Sequence, residues 1–193
     1  MSTRLGVFGG TFDPPHVGHL VVAVNARWEL QLDQVVLVVA NDPWQKTNSR
    51  DVSSPEDRLA MTRAAVGDVE GLEVSDLEIR RGGVSYTADT LAELRAEDPD
   101  RDLFLIVGSD AAAGLPTWER VDEVRVLATI VVVIRPGATN GTPPHGWDWI
   151  QVETPRLEVS STELRARVAT RRPLDYLLTP PVIACIEAQG LYR

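Results

Sequence analysis

Short apolar runs recur along the chain, with helix-like stretches between most of them. Leu5–Phe8, Val35–Ala40, Leu72–Val74, Leu103–Val107 and Thr129–Ile134 read as strands. Val17–Leu30, Pro55–Val66 and Ala88–Glu97 read as helices. The strand runs are continuous rather than alternating, which predicts burial on both faces. The expected fold is α/β: a Rossmann-like open, mainly parallel sheet with helices on both faces. Ser54-Pro55-Glu56-Asp57 carries helix-start signals, with Pro at the first position and acids in the first turn. Further helices are expected from Ser161 to about Thr170 and over Pro180–Gln189, ending at Gly190. They form a small C-terminal helical part over about residues 160–193. Two loops look long, Asn41–Ser54 and Pro136–Gly146, as binding loops or connectors in α/β folds often are.

With 193 residues, no evident linker and no internal repeat, a single domain over 1–193 is expected. Net charge is -9, which disfavours nucleic acid and anionic membranes as partners and makes any basic residue near a motif more informative. The lone cysteine, Cys185, precludes an intramolecular disulfide and reads as a small core residue. No apolar run reaches membrane-spanning length and the N-terminus has no basic, apolar leader, so a cytoplasmic protein is expected. Oligomeric state is left open, a homo-oligomer included.

The most informative segment is Gly9-Gly10-Thr11-Phe12-Asp13-Pro14-Pro15-His16-Val17-Gly18-His19, between the first strand and the first helix. Glycines let backbone approach an anion, and helix-start N–H groups have no intrahelical partner. His16 and His19, three apart, add side-chain donors beside that turn. The structural alternative is a tight strand-to-helix turn. A metal pair lacks a third ligand, since His145 lies in a distant loop. A second helix start, Val159-Ser160-Ser161-Thr162-Glu163-Leu164-Arg165, offers hydroxyls, N–H groups and a guanidinium fork. It also fits a plain capping box, Ser160 with Glu163.

These two segments resemble the signatures of the nucleotidyltransferase superfamily with the His-x-Gly-His motif. The middle of the chain resembles bacterial nicotinate-nucleotide adenylyltransferases along nearly its whole length. Matching pieces are Pro43-Trp44-Gln45-Lys46, Ser85-Tyr86-Thr87-Ala88-Asp89-Thr90-Leu91, Gly108-Ser109-Asp110, Leu115-Pro116-Thr117-Trp118 and Arg135-Pro136-Gly137. Gln45 departs from the family's usual histidine, and Pro15 replaces a common isoleucine or valine.

The resemblance implies roles. Gly9, Gly10, Thr11, Phe12, His16, His19, Gly108, Asp110, Ser160, Ser161, Thr162 and Arg165 would bind ATP, with Asp110 near a ribose hydroxyl. Asp13, Trp44, Lys46, Ser85, Tyr86, Thr87, Trp118 and Arg135 would bind the mononucleotide. In that set Trp118 stacks on the pyridine ring, and Ser85–Thr87 receive its carboxylate. A core tryptophan and a helix cap are the structural alternatives for those two features. His16, His19, Lys46 and Arg165 would be catalytic, with Mg²⁺ carried on ATP. The implied reaction joins ATP and nicotinate mononucleotide into deamido-NAD and pyrophosphate. Competing readings are another branch of the superfamily, such as a phosphopantetheine adenylyltransferase or a cytidylyltransferase, and a nucleotide sensor without turnover.

Overall fold

The strands pair in parallel into one six-stranded sheet, ordered β3-β2-β1-β4-β5-β6. They are β1 (Arg4–Gly10), β2 (Gln34–Val39), β3 (Leu72–Ser75), β4 (Asp102–Gly108), β5 (Thr129–Ile134) and β6 (Trp149–Glu153). The computed structural model describes residues 2–43, 52–134 and 141–193. Trp44, Gln45 and Lys46, and Arg135, Pro136 and Gly137, lie outside the described residues.

Helices connect the strands: α1 (Val17–Glu29), α2 (Pro55–Val66), α3 (Leu77–Arg81), α4 (Thr87–Glu97), α5 (Ser109–Gly114), α6 (Val121–Leu127), α7 (Ser161–Ala169) and α8 (Pro180–Gln189). Because strand side chains alternate, each apolar run feeds two cores. Val36, Val38, Leu103, Leu105 and Val107 pack with Leu77, Leu91, Leu94, Leu115 and Val124 on one face. Val35, Leu37, Val39, Phe104 and Ile106 pack with Ala23, Ala26, Leu59 and Val66 on the other. A third cluster joins α2 through Met61 and Ala65 to Leu164 of α7, to Leu178 just before α8, and to Val182 and Ile186 of α8. The C-terminal helices thus dock on α2.

The expected strands and helices are present, with α1 ending one residue early and β1 and β2 shifted slightly. One strand and three α-helices were not anticipated. The edge strand β6 has a single fully buried residue, Val152, so its sequence shows no apolar run. Helices α3, α5 and α6 have 5, 6 and 7 residues, too few for a 3.6-residue period to be visible.

Strand order reverses between β1 and β4, the point where open α/β sheets open a crevice outside their carboxyl ends. That end is braced by a buried charge. Arg58 of α2 is 1% exposed. Its guanidinium donates to the carbonyls of Thr11 (3.0 Å), Ala40 (2.6 Å), Asn41 (3.0 Å) and Ser53 (2.9 Å). Burial pulls its pKa below the usual arginine range, and the nearby Asp13 charge acts in the opposite sense. Arg58→Ala leaves several interior carbonyls without donors. It should cost about 3 to 5 kcal/mol, read as a lower urea midpoint at unchanged m-value. A loss under about 0.5 kcal/mol, typical of surface substitutions, would show that the brace is not structural.

Candidate active site

The first motif wraps around a buried phenylalanine. Phe12, 2% exposed and at φ 51°, lies under the turn and meets Phe8 and His19 edge-on, with ring centroids 5.8 and 5.1 Å apart. A Cβ on Gly10 would sit 2.7 Å from its ring, whereas one on Gly9 would meet nothing. Gly10 is therefore required by packing, and Gly9 presents open backbone to the crevice. Phe12 can offer a ligand only backbone groups.

His16 caps α1 and His19 lies one turn on; their rings stack at 3.7 Å. The His16 backbone N–H donates to His19 Nδ1 at 3.1 Å. That bond keeps the ring proton on Nε2, which makes His19 a donor on its other edge. A Cβ on Gly18 would lie 3.0 Å from the His16 ring and 3.1 Å from Val159, so this glycine lets the histidine and the second motif close together.

The second motif is bolted to the first. Ser161 Oγ donates to the Pro14 carbonyl at 2.9 Å, and Arg165 donates to the Asp13 carbonyl at 2.7 Å and to Thr162 Oγ1 at 3.2 Å. Ser160 Oγ accepts the Glu163 N–H at 3.2 Å, so the helix cap is realised. Asp13 is 1% exposed; its Oδ1 accepts the Tyr192 hydroxyl at 2.7 Å, and its Oδ2 lies 4.0 Å from Arg165. Burial first, then the bond to Asp13, raises the Tyr192 phenol well above its ordinary value, so it stays protonated and donating.

A cleft of about 270 Å³ opens at the carboxyl end of the sheet. Its wall includes Gly9, Gly10, Thr11, Pro43, Glu78, Ser85, Thr87, Thr90, Gly108 and Trp118. Segments far apart in sequence therefore converge at the strand-order reversal. Trp118 packs partly on the core, and its Nε1 is buried without a partner among the described residues. Ser85 Oγ accepts the Asn41 N–H at 2.8 Å, and Ser85 lines the cleft together with Glu78. Thr87 opens α4, with Tyr86 at its N-cap. Asp110 is exposed on the first turn of α5, beyond the cleft wall. Tyr86, His16, His19, Ser160 and Arg165 also lie outside that wall.

The chain matches the cytidylyltransferase-like family over residues 7–167. It is 46% identical over 188 residues to a probable nicotinate-nucleotide adenylyltransferase of Streptomyces coelicolor, covering 96% of this chain and 98% of that protein. The chain belongs to the nicotinate-nucleotide adenylyltransferase family. A relative of the same description from Roseiflexus sp. is 44% identical over 199 residues, covering 100% of this chain and 99% of its own length. The fold is also that of Plasmodium falciparum nicotinic acid mononucleotide adenylyltransferase complexed with NaAD: TM-score 0.80, 17% identity, 98% of this chain and 97% of that one covered.

Within this family framework, sequence reasoning missed Arg58, Glu78, Thr90 and Tyr192. Arg58 had a signal, because it falls on the apolar stripe of α2 with Met61, Thr62 and Ala65. Glu78 sits in a helix too short to show a stripe, and Tyr192 is next to last in the chain. Tyr192→Phe removes the donor to a buried carboxylate oxygen. It should lower the melting temperature by about 4 to 8 °C, about 2 kcal/mol for a chain of this size. An unchanged melting curve would show that Asp13 does not depend on this contact.

Proposed function

We infer that the chain transfers the adenylyl group of ATP to the phosphate of nicotinate mononucleotide, forming nicotinate adenine dinucleotide and pyrophosphate in NAD biosynthesis. The observation that carries this reading is the full-length family match, joined to a cleft where Gly9–Thr11 and Gly108 face Ser85, Thr87 and Trp118. We further propose that the whole chain acts as one nucleotidyltransferase domain. In this proposal the triphosphate lies along the first turn and the start of α7, and the pyridine ring lies by Trp118.

The attacking phosphate oxygen is already ionised near neutral pH, so the reaction needs no general base and no covalent intermediate. Rate then comes from holding attacker and α-phosphorus in line and from neutralising charge as pyrophosphate leaves. His16 and His19 would stabilise that charge, His19 through the Nε2 donor that its Nδ1 contact fixes. Arg165 would assist, and so would Lys46, which lies outside the described residues, as do Trp44 and Arg135 on the mononucleotide side. Gly108 and Asp110 would line the adenosine side. Ser160, Ser161 and Thr162 would add backbone N–H groups, since two of their hydroxyls already serve the protein.

The donor set at the first turn is imidazole, amide and guanidinium, with no group of three or more metal-ligating side chains among the described residues. That set fits a divalent cation held mainly by phosphate oxygens and water, and we propose Mg²⁺. When bound it would neutralise charge on the leaving pyrophosphate. No described helix is long and apolar enough to cross a membrane, and a cytoplasmic setting is part of the proposal.

The direct test is pyrophosphate release from Mg·ATP with nicotinate mononucleotide, nicotinamide mononucleotide or phosphopantetheine, with product masses checked. Turnover with the acid mononucleotide well above the amide is the expected result. Turnover only with phosphopantetheine would move the chain to another branch, and ATP binding without release would make it a sensor. His19→Ala should lower kcat by on the order of a hundredfold. Unchanged turnover in the folded variant would remove His19 from the mechanism.

A further inference from the structure

Glu78 is 7% exposed, yet it lines the cleft with Ser85, Thr87, Thr90 and Trp118. Thr90 Oγ1 donates to its carboxyl at 2.5 Å, and the Ser85 hydroxyl lies on the same wall. Each hydroxyl has one proton to give. With Glu78 ionised, the Thr90 proton is spent on it, the neighbouring Ser85 hydroxyl is drawn to the same charge, and a second carboxylate entering the cleft meets like charge. With Glu78 protonated, its own O–H can donate to Ser85 Oγ, which has a lone pair left beside the Asn41 N–H. The Ser85 proton is then available to the cleft.

The charges around Glu78 are few. Arg81, on the same helix, donates to Thr90 Oγ1 at 3.2 Å and pairs with Glu93 of α4 at 2.8 Å, so another carboxylate shares its field. Strand β2, which also packs on α3, has no titratable residue. Burial pushes the Glu78 carboxyl above the ordinary glutamate value; the Ser85 and Thr90 hydroxyls and the Arg81 charge oppose the shift.

We propose that Glu78 is a positioning residue that couples entry of the acid mononucleotide to proton uptake. Solvent supplies a proton to the Glu78 carboxyl, Glu78 donates to Ser85 Oγ, and Ser85 turns its hydroxyl to the pyridine carboxylate. The amide mononucleotide has an uncharged ring substituent and requires no such uptake. Preference for the acid therefore falls as pH rises through the Glu78 pKa. This inference rests on placing the pyridine ring in this cleft.

The test is titration calorimetry of the full chain with nicotinate and nicotinamide mononucleotides, in buffers of different ionisation enthalpy. The two ligands share phosphate and ribose, so the difference in proton uptake reports the ring substituent. The acid should take up more protons than the amide, an excess of up to about one per site where free Glu78 is ionised. Glu78→Gln keeps an acceptor for Thr90 and a neutral donor for Ser85. It should abolish the excess and flatten the pH dependence of the acid-to-amide kcat/KM ratio. Equal uptake of both ligands by the unaltered chain, at every pH from about 5 to about 9, overturns the proposal without any variant. If Thr87→Ala and Trp118→Ala leave acid binding unchanged, the ring is not in this cleft and the proposal falls with that premise. If they weaken binding about tenfold while uptake stays equal, the pyridine site stands and only the Glu78 coupling is lost.

Discussion

A buried guanidinium must find acceptors, and Arg58 finds them in the carbonyls that leave the ends of β1 and β2. Parallel strands end at one edge with their carbonyls pointing out of the ladder, and loops to a ligand start there. Those orphan acceptors would otherwise need water. Arg58 supplies five N–H donors from behind, out of α2, and so leaves the front of the turn open. The geometry of Thr11 and Asn41, and through them of both sides of the crevice, follows from this one side chain.

Around that brace the two motif segments form a single unit. Ser161 reaches Pro14 across 147 positions, and Arg165 reaches Asp13 across 152. Tyr192 holds the same Asp13 from the far end of the chain, across 179 positions. The C-terminal helices are therefore part of the scaffold of the candidate site rather than an appendage, and their docking on α2 through Met61 and Leu178 offsets the cost of ordering them. The turn is rigid because its ties come from three distant parts of the fold. That is the preorganisation that charge stabilisation demands.

The second half of the cleft is built on different chemistry. Around Ser85 and Thr90, hydroxyls and N–H groups converge, and the buried Glu78 takes the Thr90 hydroxyl for itself. In the proposed function this half receives a carboxylate while its wall already holds one, and the proposed protonation of Glu78 reconciles the two demands.

Sequence by itself determined the parallel α/β frame, because continuous β-rich runs and 3.6-period helices are local patterns. The glycine-histidine turn and the Ser160–Arg165 helix start were legible for the same reason: their donors are neighbours in sequence. Packing adds a reason for Gly10 that the sequence did not show: its missing side chain makes room for the Phe12 ring. Tertiary structure alone decided the edge strand β6 and the short helices, whose form comes from the sheet they pack on rather than from their own periodicity. It alone brought Tyr192 to Asp13 and Arg58 to the strand ends. Those partnerships satisfy buried polar groups across long stretches of chain, and neither partner's neighbours in sequence carry a trace of the other.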